Sequence, residues 1–410
     1  MSEPDYDVLI IGGGLVGAGL ACALDGLGLH SALVEAAPLT VNQHPSYDDR
    51  TLALSQGTRR ILQTLGLWEV VAATATPIER IHISERGSPG CAWLDHREEG
   101  VEALGYVVEA RALGAALLAR LPTLPGVDML CPARLETVTV TPAAVRAVIR
   151  FSDDRVEELL ARVLVAADGA NSPVREQIGV AALRWDYAQH AVIANVTPTQ
   201  PHANVAYERF TAEGPLALLP MRAQRCAVVC TVSTADVPAV IALSDADFLH
   251  LLQERFGDRL GPLLQVGRRQ NYPLFLLKAR AHVRPRVALI GNAAHTLHPI
   301  AGQGFNLGLR DVAALAEVLA DGQRAGADLG ALAVLNRYAD WRRWDQRRTI
   351  TFTDGLQRLF GNPLGPVRAA RTLGLLAFDL CPPLKHEFAR YSMGLGGRLP
   401  RLARGLALTG

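Results

Sequence analysis

The segment DVLIIGGGLVGAG, residues 7–19, limits the fold of this chain more than any other stretch. Asp7–Ile11 is a short apolar run of the kind found in a parallel strand buried on both faces. Gly12, Gly14 and Gly17 follow in GxGxxG spacing. Leu15–Leu27 then alternates small and large apolar residues, as a helix packed on a sheet does. Gly12 allows the tight turn, Gly14 leaves room for a pyrophosphate, and Gly17 lets helix and strand pack closely. The helix N-terminus offers free N–H groups and partial positive charge to phosphate. The next strand, Ser31–Glu35, ends in an acid 23 residues after Gly12, where a carboxylate can take both ribose hydroxyls. Strand, turn, helix and acid together predict a dinucleotide-binding unit.

Two later strands also end in unusual turns. Arg162–Ala166 runs into Asp168-Gly169, with Ser172 and Arg175 entering a helix. This is either a plain surface turn or an acid and a guanidinium placed at a sheet edge. The strand RVALIG, 286–291, is followed by Asn292 and then by Pro299, Gly302 and Gly304 before a helix through Leu307. Ligands of open α/β sheets bind beyond the carboxyl ends of strands. No residue from Val287 through Leu309 carries a full charge, although the stretch holds two His and two Asn. Small residues let a planar ring lie against the backbone, and a ring that becomes anionic on reduction is opposed by any fixed carboxylate beside it. That is a physical reason for the missing charges.

A length of 410 residues exceeds a single core, so two or more domains are expected. Between Tyr187 and Ser233 strands recur about every dozen residues, the rhythm of an antiparallel sheet. The expected fold class is therefore α/β: a Rossmann-like domain assembled from discontinuous segments, an inserted mostly antiparallel β domain, and C-terminal helices. The expected divisions are 1–75, 104–180 and 271–330; 76–103 and 181–270; and 331–410. Net charge of +1 excludes a nucleic-acid footprint. The six Cys show no metal-ligand spacing, so no metal is expected, and reduced thiols suit a cytoplasmic location.

The strings GGGLVGAG, VLVAADGANSPVR and GNAAHTLHPIAGQGFNLGLRD together resemble the flavin-dependent aromatic hydroxylases, and among them the hydroxylases of ubiquinone biosynthesis. The likeness runs through essentially the whole chain. It implies FAD, with Gly12, Gly14, Gly17 and Glu35 on its ADP half and Arg50 between nucleotide and active site. Asp168 and Gly169 fall at the family's Asp-Gly motif. Gly291 and Asn292 fall at the family's Gly-Asp position beside the ribityl chain, and Pro299, Gly302, Gly304, Phe305 and Asn306 fall around the isoalloxazine. Two positions depart from the family pattern: Asn292 replaces an Asp that takes a ribityl hydroxyl, and Ala110 replaces a polar residue, with Arg111 beside it as a substitute.

The resemblance also implies the reaction. NAD(P)H visits transiently and reduces the flavin, O2 forms a flavin C4a-hydroperoxide, and an electron-rich phenol is hydroxylated; the phenol expected is 2-polyprenyl-6-methoxyphenol. Arg50, Pro299 and His298 are the candidate catalytic residues. His295 and His298 are each either a proton acceptor or a side chain satisfied within a tight turn. Leu216–Met221 (LALLPM) is either a pocket wall or a core strand. Alternatives are a sibling acting at another ring position or on a small phenol, and a weakly flavinated scaffold subunit of a ubiquinone-biosynthesis complex. Residues 361–410 carry seven basic and two acidic side chains, a net of 7 − 2 = +5, interleaved with leucines. Such a surface suits peripheral contact with anionic lipid at the inner membrane face.

Overall fold

The computed structural model describes residues 3–40, 44, 46, 48, 50–362 and 364–409, without the side chain of residue 301. Val8, Leu9 and Ile10 are fully buried. Val8 and Ile10 enter the core on one face of a sheet and Leu9 and Ile11 the core on the other, which is why the run is apolar at every position. In that sheet Val287–Leu289, Val156–Ala166, Tyr6–Ile11, Ser31–Val34 and Val127–Leu130 lie side by side and parallel. Strand 156–166 begins earlier than the sequence predicts because its first residues pair with Val145–Phe151, which pairs in turn with Ala133–Val140.

Register brings the three turns together. Ile11 pairs with Val34 on one side and Ala166 on the other, and Ala166 pairs with Leu289. Residues 12–17, 167–172 and 290–306 therefore leave the same edge of the sheet.

The second sheet has nine strands. Its pairings are antiparallel except for Val205–Thr211 on Arg80–Glu85. Helix Asp245–Phe256 packs Phe248, Leu252 and Phe256 beneath it, and Ser244 caps that helix by accepting from Asp247 N at 3.1 Å. Gln270–Ala279 pairs with Ala182–Pro198 in this sheet, so the division expected at 271 falls inside one of its strands. His295–Thr296 adds an edge pairing with Leu277–Lys278. A small third sheet, Thr51–Ser55 with Gly105–Glu109 and Thr76–Ile78, is not signalled in the sequence reading.

Helix Gln303–Arg324 is the one expected through Leu307, and Leu332–Phe360 is the first of the C-terminal helices. Gly365–Asp379 and Pro382–Ser392 follow. The chain then returns, and Leu402, Ala403 and Leu408 bury in the core of the parallel sheet. Among the described residues no helix is long and apolar enough to cross a membrane.

Candidate active site

At the first turn, Gly12 adopts φ +106°, and a Cβ on Gly17 would stand 1.8 Å from Gly12 O. The cradle exists only because both positions are glycine, and it leaves room for a diphosphate over the helix start. Glu35 Oε2 accepts from Gly13 N at 2.5 Å and Oε1 from Ala37 N at 2.7 Å. Burial raises the Glu35 pKa, but His44 and the two backbone donors outweigh it and hold the carboxyl below its ordinary value. The acid is thus ionised and fixed at the strand end.

At the second turn, Asp168 Oδ2 accepts from Val174 N at 3.1 Å, whereas Oδ1 is buried with no partner among the described residues. Burial pushes its pKa up despite the hydrogen bonds to Ser172 and Val174. An orphaned carboxylate oxygen at this edge calls for a donor from outside the chain, as a ribityl or nucleotide hydroxyl would supply. Arg175 spans the gap to the third turn, donating to Ala170 O at 2.8 Å and Ala293 O at 2.9 Å. The Asp-Gly turn is a joint between two rims of the site rather than a free surface loop.

At the third turn, Gly302 has φ +60°, and a Cβ there would lie 2.8 Å from Ala53 Cβ. Asn306 spends its amide on the neighbouring strand and its own turn: Oδ1 accepts from Ser55 N, and Nδ2 donates to Ala53 O and Gly302 O, each at 2.8 Å. Its side chain clamps the loop. Gly304 faces open space. Phe305 does not line the cavity described below; it packs on the core of the parallel sheet. Asn292 is exposed. The helix starting at Gln303 has no side-chain cap and no acid in its first turn, so its N–H groups face the loop uncompensated.

The loop is held from behind by a buried ionic chain that the sequence reading missed. Asp311 is fully buried. Its Oδ2 accepts from His295 Nε2 at 2.6 Å and Gly291 N at 3.3 Å, and its Oδ1 from Arg342 Nε at 2.8 Å and Gln346 Nε2 at 2.9 Å. Burial opposes the charge, but His295 and Arg342 overcome it and hold the carboxyl well below the carboxylate range. His298 is placed differently. It is buried, has no hydrogen-bond partner among the described residues, and lies edge-on to Tyr187 at 5.3 Å. Burial pushes its pKa down to about 4, so it is neutral at pH 7.

Arg50 and Arg111 meet at one corner. Ala110 N donates to Arg50 O at 2.8 Å and Arg111 N to Asp48 O at 2.9 Å. Arg50 pairs with Asp48 at 2.7 Å and lies over the Tyr272 ring at 5.0 Å. Ser46 Oγ stands 3.1 Å from where a Gly14 Cβ would sit, so this corner follows directly on the first turn.

His298, Pro299, Gly302 and Asn306 floor a cavity of about 400 Å³. Pro215, Ala217 and Leu219 line it from one face of Gly214–Pro220, while Leu216 and Leu218 on the other face enter the sheet core. LALLPM is both a wall and a core strand. The far wall is aromatic and comes from the C-terminal helices, through Phe352, Phe360, Phe378 and Phe388.

The FAD binding domain family matches residues 5–352 of this chain. Ubiquinone hydroxylase UbiL of Rhodospirillum rubrum is 41% identical over 406 residues, covering 98% of this chain and 93% of that protein. The chain belongs to the FAD-dependent hydroxylases of ubiquinone biosynthesis. The 3-demethoxyubiquinol 3-hydroxylase of Escherichia coli is 32% identical, covering 96% of this chain and all of that protein. The p-nitrophenol 4-monooxygenase PnpA of Pseudomonas putida shares the fold, with a TM-score of 0.79 over 97% of this chain and 100% of that one at 21% identity. As a member of this family the protein is a flavin-dependent monooxygenase that uses FAD, NAD(P)H and O2.

Proposed function

We propose that this monooxygenase hydroxylates the ring of a polyprenylated phenol, with 2-polyprenyl-6-methoxyphenol as the substrate to test first. The observation that carries the reading is the apolar cavity floored by the glycine-rich loop, deep enough for a ring and walled for hydrocarbon. On this reading Gly12, Gly14, Gly17 and Glu35 hold the ADP half of FAD, and Arg50, Arg111, Asp168 and Gly169 flank its middle. Gly291 and Asn292 flank its ribityl chain, Asn292 through its side-chain amide, and Pro299, Gly302 and Gly304 line the path of its ring system through their backbone. Phe305 and Asn306 fix that backbone from behind. Bound there, FAD supplies the redox chemistry that activates O2.

The chain's own side chains then position and exclude. The aliphatic and aromatic walls keep water from the reacting ring, which favours substrate oxidation over release of hydrogen peroxide. His298, neutral and unpartnered at the cavity floor, accepts a hydrogen bond from the phenol hydroxyl. A pKa near 4 makes it a weak proton acceptor, so its part is orientation more than proton storage.

We also read the C-terminal helices as a peripheral lipid contact: Leu364, Leu373 and Leu380 are 61%, 67% and 82% exposed. Co-sedimentation with liposomes that rises with anionic lipid supports it, and indifference to lipid charge refutes it.

Purified FAD-loaded protein should oxidise NAD(P)H faster when a prenylated phenol is added and should release the hydroxylated phenol, read by mass spectrometry. No stimulation and no hydroxylated product would overturn the reading. Product formed only from tail-less phenols, or at another ring carbon, would replace this substrate with the sibling one.

A further inference from the structure

The inner cavity ends at three rings. Phe388 lies 5.4 Å from Phe352 and 5.4 Å from Phe378, tilted to the first and edge-on to the second. The same three rings also line a second hollow of about 1330 Å³ on the outer side of helix Leu332–Phe360. Its lip carries Trp344, 71% exposed, and Leu384, 58% exposed. One aromatic partition thus faces both hollows. Its side chains make no hydrogen bond or ion pair, so the rings can swing while their helices stay anchored elsewhere, for example by Thr349 and Tyr391 hydroxyls at 2.7 Å.

The outer hollow is rich in arginine, yet those charges are already engaged. Arg337 bonds Asp321 at 3.2 Å and Arg348 meets Glu387 at 3.5 Å. Arg398 lies over the Trp341 ring at 4.1 Å. Guanidinium groups spent on carboxylates and rings favour an apolar occupant over an anionic one. Size gives the occupant. An aromatic ring alone fills a cavity of roughly 150 Å³, so an inner space of about 400 Å³ holds a ring and a short chain but not a long tail.

We propose that Phe352, Phe378 and Phe388 form a gate through which the distal part of the substrate tail leaves the inner cavity, and that this part lies in the outer groove against Trp344 and Leu384. The proposal rests on the reading of the substrate as a long-tailed phenol. It assigns tail-length selection to residues far from the reacting ring.

The test uses full-length FAD-loaded protein and phenols carrying no tail, one isoprene unit, or a tail of several units. Leu384→Glu and Trp344→Glu place a charge in the groove at mostly exposed positions, where the fold tolerates it. The expected result is at least a tenfold fall in the ratio of kcat/KM for the long-tailed phenol to that for the one-unit phenol. Phe388→Ala, which thins the partition, should hold or raise that ratio. Long-tailed turnover with an unchanged ratio in both Glu variants would overturn the gate while leaving the substrate reading intact. Parent enzyme that hydroxylates only the tail-less phenol would overturn the substrate reading, and the gate with it.

Discussion

His295 Nε2 lies 2.6 Å from Asp311 Oδ2, and the two side chains are 1% and 0% exposed. The pair joins the glycine-rich loop to the helix that the loop begins, and Arg342 joins both to the next helix. Removing Asp311 leaves Arg342 with Asp345 as its remaining carboxylate, so the cost should fall below the roughly 3–5 kcal/mol of a fully stranded buried charge. Asp311→Asn should still lower the urea midpoint and weaken FAD binding. Adding Arg342→Met should cost less than it does in the parent, because its bond to Asp311 is already weakened while Asp345 keeps Arg310 at 3.0 Å. Strictly additive losses in the double variant would show that the two side chains are not coupled.

Acid should destabilise the protein through the buried His298 and the half-buried His282. The pKa values of His298 and His282 are about 4 in the folded chain, against an ordinary value of about 6.5. Between these values the unfolded chain binds more protons than the folded one. Stability is then full above roughly pH 6.5 and falls as pH drops toward 4, by up to roughly 3 kcal/mol per histidine. His298→Phe should flatten the slope of stability against pH over that window. Equal slopes for the variant and the parent would remove His298 from the account.

Gly17→Ala should abolish FAD uptake. The added Cβ meets Gly12 O at 1.8 Å, a backbone atom that can move only by opening the turn. Purified variant should be colourless, and titration with FAD should show no quenching of flavin fluorescence. Yellow protein of parental affinity would mean that the turn does not hold the nucleotide.

Asn292 stands where the family pattern has an acid. With FAD placed as proposed, its amide oxygen would accept a hydrogen bond from a ribityl hydroxyl without the gain of a full charge, and charged hydrogen bonds contribute about 1.5–3 kcal/mol against about 1 kcal/mol for neutral ones. A charged acceptor exceeds a neutral one by roughly 0.5–2 kcal/mol, so Asn292→Asp should tighten FAD binding by a factor on the order of 2–30, and parental protein should lose flavin on extended dialysis. Equal dissociation constants would refute the idea.

The three turns were legible in the sequence because each begins locally, where a buried strand runs directly into a glycine-bearing turn: Gly12, Asp168-Gly169 and Gly291-Asn292. Their convergence followed from the rule that ligands bind at the carboxyl edge of such sheets, and the pairing of Ile11 with Ala166 and of Ala166 with Leu289 gives it in detail. The clamp made by Asn306 was not legible, since it depends on the strand Thr51–Ser55, about 250 residues earlier, which no local signal announced. The two histidines of the loop are equivalent in sequence but opposite in place: His295 is tied to Asp311, and His298 has no hydrogen-bond partner among the described residues. The aromatic wall was half legible. Phe352, Leu356 and Phe360 recur every four residues and so share one helix face, but nothing nearby says which cavity that face meets.

The short pairing of His295–Thr296 with Leu277–Lys278 sews the loop that floors the cavity into the sheet that walls it. Chimaeras of two relatives, cut where the chain passes from one sheet to the other near residue 280, would leave one parent's seam facing the other's cloth. Residues 270–311 are better exchanged as a single cassette, together with the Arg342 that closes its far end.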